Sequence, residues 1–347
     1  MAFLDEVAEQ GKVLRDLVAF YRGEGGALLG KAYHTLYHRT RSIIFTGMGT
    51  SEFVPLVIRD YLGDKSAAAV TIREAGELLH YGMEMIRDDD IVIAISQSGE
   101  SIETRRIVEE LRFHRYLASV TNNPDSTMAR FAKLNLPMMA GEEATISNKT
   151  YTNSIGVMLL LSRALMCEQW DAVLDDLERA ADSMDEFLAK SRSEIDRAAD
   201  LLKEAHTVYF ISRGPALAAA KQAALTFQEG CHVFTCALPG GSMRHGPFEI
   251  VGPGHHAVMF ASDGHGGDLV RSMALEMAEL GSKVVLLTSS EAADHANLAS
   301  IVLKPGEPEF FSLACAVPQE LLLDRMATDR GWTAGVFQHG GKVTERE

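Results

Sequence analysis

The chain has 347 residues, 46% of them hydrophobic and 23% charged, enough for two ordinary soluble domains, each with its own core. A net charge of −15 argues against a nucleic-acid backbone or an anionic membrane as the main partner, and leaves room for one donor-rich pocket for a small anion. No apolar run approaches the roughly 18 residues of a membrane span, the opening Met-Ala-Phe-Leu-Asp-Glu lacks a signal-peptide layout, and the four cysteines suggest neither a disulfide framework nor a metal site, so a cytoplasmic protein without metal or cofactor is expected.

Phe3 to Tyr21 has the period of an amphipathic helix. Ile43-Ile-Phe-Thr-Gly-Met-Gly49 then reads as a strand ending in a glycine turn, and a helical segment follows from Phe53 to Leu62. Met83, Met85, Met138 and Met139 read as fillers of core gaps. Asp88-Asp-Asp90 reads as a solvated acidic turn rather than a cation site, because a buried strand begins directly after it. That strand, Ile91 to Ile95, is a continuous apolar run, as expected when both faces of a parallel strand are covered.

The run gives way to Ser96, Gln97, Ser98, Gly99 and Ser101, after which Ile107, Val108 and Leu111 restore a helical pattern. A strand, a hydroxyl-rich turn and a helix start together make an anion site. The first helical N–H groups lack internal partners, the helix dipole favours negative charge there, and hydroxyls add donors without a competing charge. A serine that merely caps the helix accounts for one of the three hydroxyls. The others, with Gln97 and Gly99 between them, point to a phosphate monoester.

Leu117-Ala-Ser-Val-Thr121 is a further strand, and the acid-rich stretch from Trp170 to Ala205 reads as one or two amphipathic helices on Leu174, Leu177, Ala181, Met184 and Leu188. From Val208 the chain repeats itself. Val208-Tyr-Phe-Ile-Ser-Arg-Gly214 matches Ile43 to Gly49, with the final glycines 165 positions apart (214 − 49). Ala257 to Gly264 matches Val92 to Gly99 at the same offset (264 − 99 = 165), and Val284-Val-Leu-Leu-Thr288 matches Leu117 to Thr121 at 167 (288 − 121). Ala216 to Phe227 repeats the helix after the first strand. Cys231 and Cys236 read as small buried hydrophobes, and His255 and His256 as a polar turn before the Ala257 strand. The stretch after Gly331 has no sustained period.

The fold class is therefore α/β, two doubly wound parallel-sheet units in tandem, with ligands expected beyond the carboxyl ends of the strands. Under the offset of 165, Ser96, Gln97 and Ser98 fall on Ala261, Ser262 and Asp263. An aspartate at the place of Ser98 repels a phosphate, so only the first half is expected to hold one.

Gly49-Thr50-Ser51, Ser96-Gln-Ser-Gly-Glu-Ser101, Glu142 to Lys149, Glu229, Arg244-His-Gly-Pro247 and Lys342-Val-Thr together resemble the sugar isomerase (SIS) domain family. The tandem arrangement is similar to the isomerase part of glucosamine-6-phosphate synthase and to stand-alone relatives: tagatose-6-phosphate isomerase-like proteins, fructosamine-6-phosphate deglycases and aminosugar-phosphate deaminases. The likeness runs over nearly the whole chain. It divides the chain into an N-terminal helical segment over 1–40, a first, phosphate-binding SIS domain over 41–170, a bridging helix over 171–205, a second SIS domain over 206–330 and a tail over 331–347 that lines the site. By the resemblance, Ser51, Ser96, Gln97, Ser98 and Ser101 surround the phosphate of a sugar-phosphate substrate, and Gly49, Thr50, Thr145 and Ser147 lie along the sugar. A polar turn before a helix explains Thr145 and Ser147 equally well.

Glu229 and His245 are the catalytic candidates. Aldose–ketose interconversion moves a proton between adjacent carbons through an enediol, so one carboxylate serves both transfers, and opening the sugar ring needs a second acid/base for which imidazole is suited. The resemblance has the histidine reach the neighbouring subunit's site, which implies a homodimer with shared sites. Lys342 matches the family's C-terminal lysine, which lines the site and in the synthase can form a Schiff base; the bare residue reads equally as a solvated charge. Two departures count against glutamine-dependent synthesis: Thr226 replaces the synthase's lysine one turn before the glutamate, and no glutaminase domain precedes the unit, with Ala2 in second place. The expectation is a phosphosugar isomerase or an aminosugar-6-phosphate deaminase or deglycase; the alternative is a non-catalytic sugar-phosphate-binding regulator.

Overall fold

The computed structural model describes residues 2–36, 41–190, 192–339 and 341–342. Two parallel sheets of five strands organise the chain. In the first, β1 (Ser42–Gly47), β2 (Ala69–Glu74), β3 (Ile91–Ser96), β4 (Leu117–Thr121) and β5 (Leu134–Pro137) lie in the order β2-β1-β3-β4-β5. In the second, β6 (Thr207–Ser212), β7 (Phe234–Pro239), β8 (His256–Ala261), β9 (Lys283–Thr288) and β10 (Leu298–Val302) lie in the order β7-β6-β8-β9-β10 when counted from the matching edge. The topologies are the same, and β6 and β8 follow β1 and β3 by 165 positions each (207 − 42 and 256 − 91). The doubly wound tandem expected from the repeats is the architecture observed.

Burial follows position in the sheet. Every residue of β3 and of β8 is buried, as a central strand covered on both faces requires, whereas the edge strands β2 and β7 are half-exposed. The chain forms two compact units: Gly11–Ala181 with the residues from Gln338 onward, and the opening ten residues with Asp182–Phe337. In the first unit the helix Lys149–Leu165 is almost wholly buried. Its Gly156 lets Leu14, Leu17 and Leu177 approach, since a Cβ there would already lie 3.2 Å from Leu17.

Several local expectations are corrected. The Phe3–Tyr21 helix is two, Phe3–Ala8 and Gln10–Arg22, and the helix after β1 is divided at Pro55 into Thr50–Phe53 and Leu56–Lys65. Asp90 is buried, not solvated: its carboxylate accepts from the Ser42 hydroxyl at 2.6 Å and from the Arg87 N–H at 2.9 Å. His256 opens β8 and His255 is buried beside it, so the pair is no polar turn. Burial with its neighbour pushes the His255 imidazole down to about 4. Met85 is exposed, while Met138 is in the core. No helix among the described residues is long and apolar enough to cross a membrane.

Candidate functional site

In the strand order β2-β1-β3, the connections leaving β1 and β3 run to opposite sides, which opens a crevice beyond their carboxyl ends. The residues that meet there are those following β1 (Gly49, Thr50, Ser51) and those ending or following β3 (Ser96 to Ser101). Gly47 makes the approach possible. A Cβ on it would lie 2.7 Å from the Ser51 Cβ and 2.8 Å from the Ile95 carbonyl oxygen, so only glycine lets Ser51 rest against the end of β3.

The turn after β3 is a small hydrogen-bonded structure. The Ser96 hydroxyl accepts from the Gly99 N–H at 3.1 Å and lies 3.2 Å from the Ser101 hydroxyl; the Ser98 hydroxyl accepts from the Glu100 N–H at 3.1 Å. Gly99 takes φ +66° over Ser126, and the Glu100 carboxylate accepts from the Thr127 N–H at 2.6 Å, which ties the turn to the helix Thr127–Phe131. The Gln97 carbonyl accepts from the Asn122 N–H at 3.0 Å. Ser101 holds the N-cap position of the helix Ile102–Glu110 but makes no side-chain cap bond. Its hydroxyl is turned to Ser96 instead. The helix start therefore keeps free donors beside the buried Ser96 hydroxyl and the half-buried hydroxyls of Ser98 and Ser101, an arrangement that can take an oxyanion.

Thr145 and Ser147 belong to the loop before the helix Lys149–Leu165, and that loop is wound around Glu143. The buried Glu143 carboxylate accepts from the N–H groups of Asn148 and Thr150, both at 2.9 Å, and from the Thr150 hydroxyl at 2.7 Å. It also pairs with the Lys342 ammonium, which donates in addition to the Thr145 carbonyl at 2.7 Å. The structure thus brings Gly49, Thr50, Ser51, Ser96, Gln97, Ser98, Ser101, Thr145, Ser147 and Lys342 into one compact unit. Glu143 was not singled out in the sequence. Its only signal was a place inside the Glu142–Lys149 match, where nothing separates it from its neighbour Glu142. Val343 and Thr344 lie outside the described residues.

Glu229 and His245 belong to the other unit. Glu229 is half-buried in the last turn of the helix Leu217–Cys231, which ends at His232 in the left-handed conformation. His245 is exposed and follows the short helix Gly240–Arg244. The two stand on either side of β7 in the chain, whose six residues span about 20 Å. The loop around His245 is pinned by a bidentate Arg244–Glu276 pair, with the guanidinium stacked 4.3 Å over the Phe248 ring. That pairing raises the Arg244 pKa and lowers that of Glu276. The imidazole of His245 itself makes no hydrogen bond or ion pair among the described residues. Thr226, buried on the same helix as Glu229, returns its hydroxyl to the Gln222 carbonyl at 3.0 Å.

The SIS domain profile matches residues 36–167 and 201–318. The chain belongs to the SIS-domain family. It is 28% identical over 338 residues to the glutamine–fructose-6-phosphate aminotransferase (isomerizing) of Shouchella clausii, a match that covers 94% of this chain and 55% of that protein. The chain thus spans about half the length of the curated relatives it matches. Among solved structures it superposes on the tagatose-6-phosphate ketose/aldose isomerase of Escherichia coli with a TM-score of 0.82 and 16% identity, covering 98% of this chain and 97% of that one. The glucosamine-6-phosphate deaminase of Thermotoga maritima gives 0.73 at 19% identity, covering 98% of each.

The second SIS unit repeats the crevice without the hydroxyls. Arg271 donates to the carbonyls of Ala261 and Ser262, at 3.3 and 3.1 Å, and to the Asp268 carboxylate at 2.6 Å. Asp263 accepts from the Ser289 hydroxyl at 2.6 Å. Among the described residues no group of three or more His, Cys, Asp or Glu is arranged to hold a metal ion.

Proposed function

We propose that this protein is a cytoplasmic homodimeric enzyme acting on a sugar phosphate, with an amino- or amine-linked hexose 6-phosphate as its substrate class. The reaction is an aldose–ketose isomerisation, or a deamination or deglycation, through an enediol or enolamine. The observation that carries this reading is the uncapped start of the helix Ile102–Glu110, where the Ser96 and Ser101 hydroxyls lie 3.2 Å apart. Ser51, Ser96, Gln97, Ser98 and Ser101 hold the phosphate, and Gly49, Thr50, Thr145 and Ser147 line the sugar. Sugar 6-phosphates stand in the names of all three similar proteins, and we transfer that substrate class to this chain.

Glu229 carries the proton between the first two sugar carbons, and His245 opens the ring. An exposed His245, separated from Glu229 by the length of β7, supports its donation to the site of a second copy. Lys342 meets the open-chain sugar. Thr226, with its hydroxyl spent within its own helix, offers no cation where the synthase has one, which favours isomerisation or amine release over amino transfer.

The test is a panel of hexose, hexosamine and fructosamine 6-phosphates, following ammonia or amine release together with aldose–ketose exchange. Release identifies a deaminase or deglycase and exchange alone an isomerase. Glu229→Gln should lower turnover of the substrate found by about a hundred- to ten-thousand-fold. An unchanged rate removes Glu229 from the chemistry. A panel member that raises the melting temperature without turnover would make the protein a sugar-phosphate-binding regulator.

A further inference from the structure

Lys342 and Glu143 are 199 positions apart in the chain, and no period or turn signal connects them. In the fold they form one polar knot. An ionised carboxylate offers about four acceptor positions, and Glu143 has each of them taken: the Asn148 and Thr150 N–H groups on Oε1, the Thr150 hydroxyl and the Lys342 ammonium on Oε2. With its side chain wholly buried and no acceptor position left, Glu143 has no lone pair with which to act as a base. Its effect lies in what it joins. On one side is the loop of Thr145 and Ser147, on the other the segment from Gln338 to Lys342.

An ammonium has three donors. Lys342 gives one to Glu143 and one to the Thr145 carbonyl at 2.7 Å, which leaves one for a ligand. A nucleophilic amine must lose a proton and present its lone pair to a carbonyl carbon. Loss of that third proton would leave both bonds in place and aim the lone pair at the same point, so the two bonds fix where the nitrogen stands in either form.

We infer that Glu143 is a positioning residue that clasps Lys342 over the Thr145–Ser147 loop, so that the lysine nitrogen meets the open-chain sugar from one fixed place. The inference rests on the proposed function only for the identity of the ligand.

Glu143→Gln is the discriminating variant. Its amide oxygen can keep the two backbone N–H bonds and its NH2 can donate to the Thr150 hydroxyl, but toward Lys342 donor meets donor. Lys342→Met removes the other half of the clasp, and with it the bond to the Thr145 carbonyl. In either variant, amide hydrogen exchange over residues 338–342 should rise by about tenfold or more, as expected when a local contact is lost. Against the substrate found in the panel, each should lower kcat/KM by about a hundredfold, the loss typical of a misplacement of ~1 Å. The double variant should be no worse than either single one, because both remove the same contact.

Wild-type exchange over 338–342 in Glu143→Gln overturns the clasp. So do losses that multiply in the double variant. If the wild type turns over no sugar of the panel, the proposed function fails, while the exchange comparison, which needs no substrate, still decides the clasp.

Discussion

Replacing Gly99 by alanine should unfasten the serine turn at a cost that can be worked from two contacts. Gly99 has φ +66°, and a Cβ there would lie 2.2 Å from the Ser126 Oγ and 2.4 Å from its Cβ. A left-handed residue that carries a Cβ costs about 1–2 kcal/mol in backbone strain alone. Ser126 cannot yield cheaply, because it is buried and caps the helix Thr127–Phe131 by accepting the Ala129 N–H at 3.2 Å. Displacing it forfeits a cap worth ~1 kcal/mol and overpacks the site by ~1–3 kcal/mol, so the whole substitution should cost about 3–6 kcal/mol. Gly141 is the control. It has the same φ of +66° with nothing within 4 Å of an added Cβ, so Gly141→Ala should lose only the ~1–2 kcal/mol of strain. Urea unfolding of both variants against the wild type, with the slope m unchanged, gives the comparison. Inorganic phosphate should raise the melting temperature of Gly141→Ala and not that of Gly99→Ala. If the two variants differed in stability by less than about 0.5 kcal/mol, the range of ordinary surface changes, the steric account of this turn would be wrong.

Three further outcomes follow from buried groups. The His255 imidazole, held at about 4 by burial and by His256, stays neutral in the folded chain while the unfolded chain protonates below about 6.5. Stability should therefore be unaffected above that pH and fall between pH ~6.5 and ~4 by roughly 3 kcal/mol, and His255→Gln should flatten that slope in urea titrations. Asp90→Asn turns an NH2 or an unmatched oxygen toward the Arg87 N–H and the Ser42 hydroxyl and should destabilise the first unit by ~1–3 kcal/mol, read from the same denaturation curves. Thr226→Val removes a hydroxyl bonded only within its own helix; stability should change by less than about 1 kcal/mol and turnover should hold, so a large loss of rate would give that hydroxyl a part in the chemistry.

The sheets were legible because parallel strands covered on both faces leave unbroken apolar runs, such as Ile91–Ile95, and because a duplicated chain states its topology twice. The turn after β3 was legible because hydroxyls and a glycine follow the buried strand directly, but the bonds by which Ser96 and Ser98 hold the Gly99 and Glu100 N–H groups were not. Asp90, His255 and His256 misled for the same physical reason: a polar residue beside a turn signal reads as solvated, and only tertiary contacts, a Ser42 hydroxyl or a Ser282 hydroxyl at 3.1 Å from the His255 ring, reveal that it is buried. The Glu143–Lys342 pair is the extreme case. Its two residues are ordinary in their own neighbourhoods, and a contact across 199 positions leaves no local pattern to read.

The duplication separates what the fold supplies from what the side chains supply. Both sheets open a crevice at the same switch point, and both place a helix start beyond the central strand. In the first unit Ser101, left free of capping, turns its hydroxyl to Ser96. Its counterpart in the second unit, 165 positions on, is Gly266, which has no hydroxyl to give. There the carbonyls of Ala261 and Ser262 are occupied by Arg271, and a Cβ on Gly267 would lie 1.7 Å from the Ser262 carbonyl oxygen. The helix is pressed onto the turn, and Asp263, at the counterpart of Ser98, accepts from the Ser289 hydroxyl. Changing Asp263 alone would therefore not restore an anion site, because the crowded turn and the missing hydroxyl remain. The topology is repeated, and the hydroxyl cluster stands in the first unit alone.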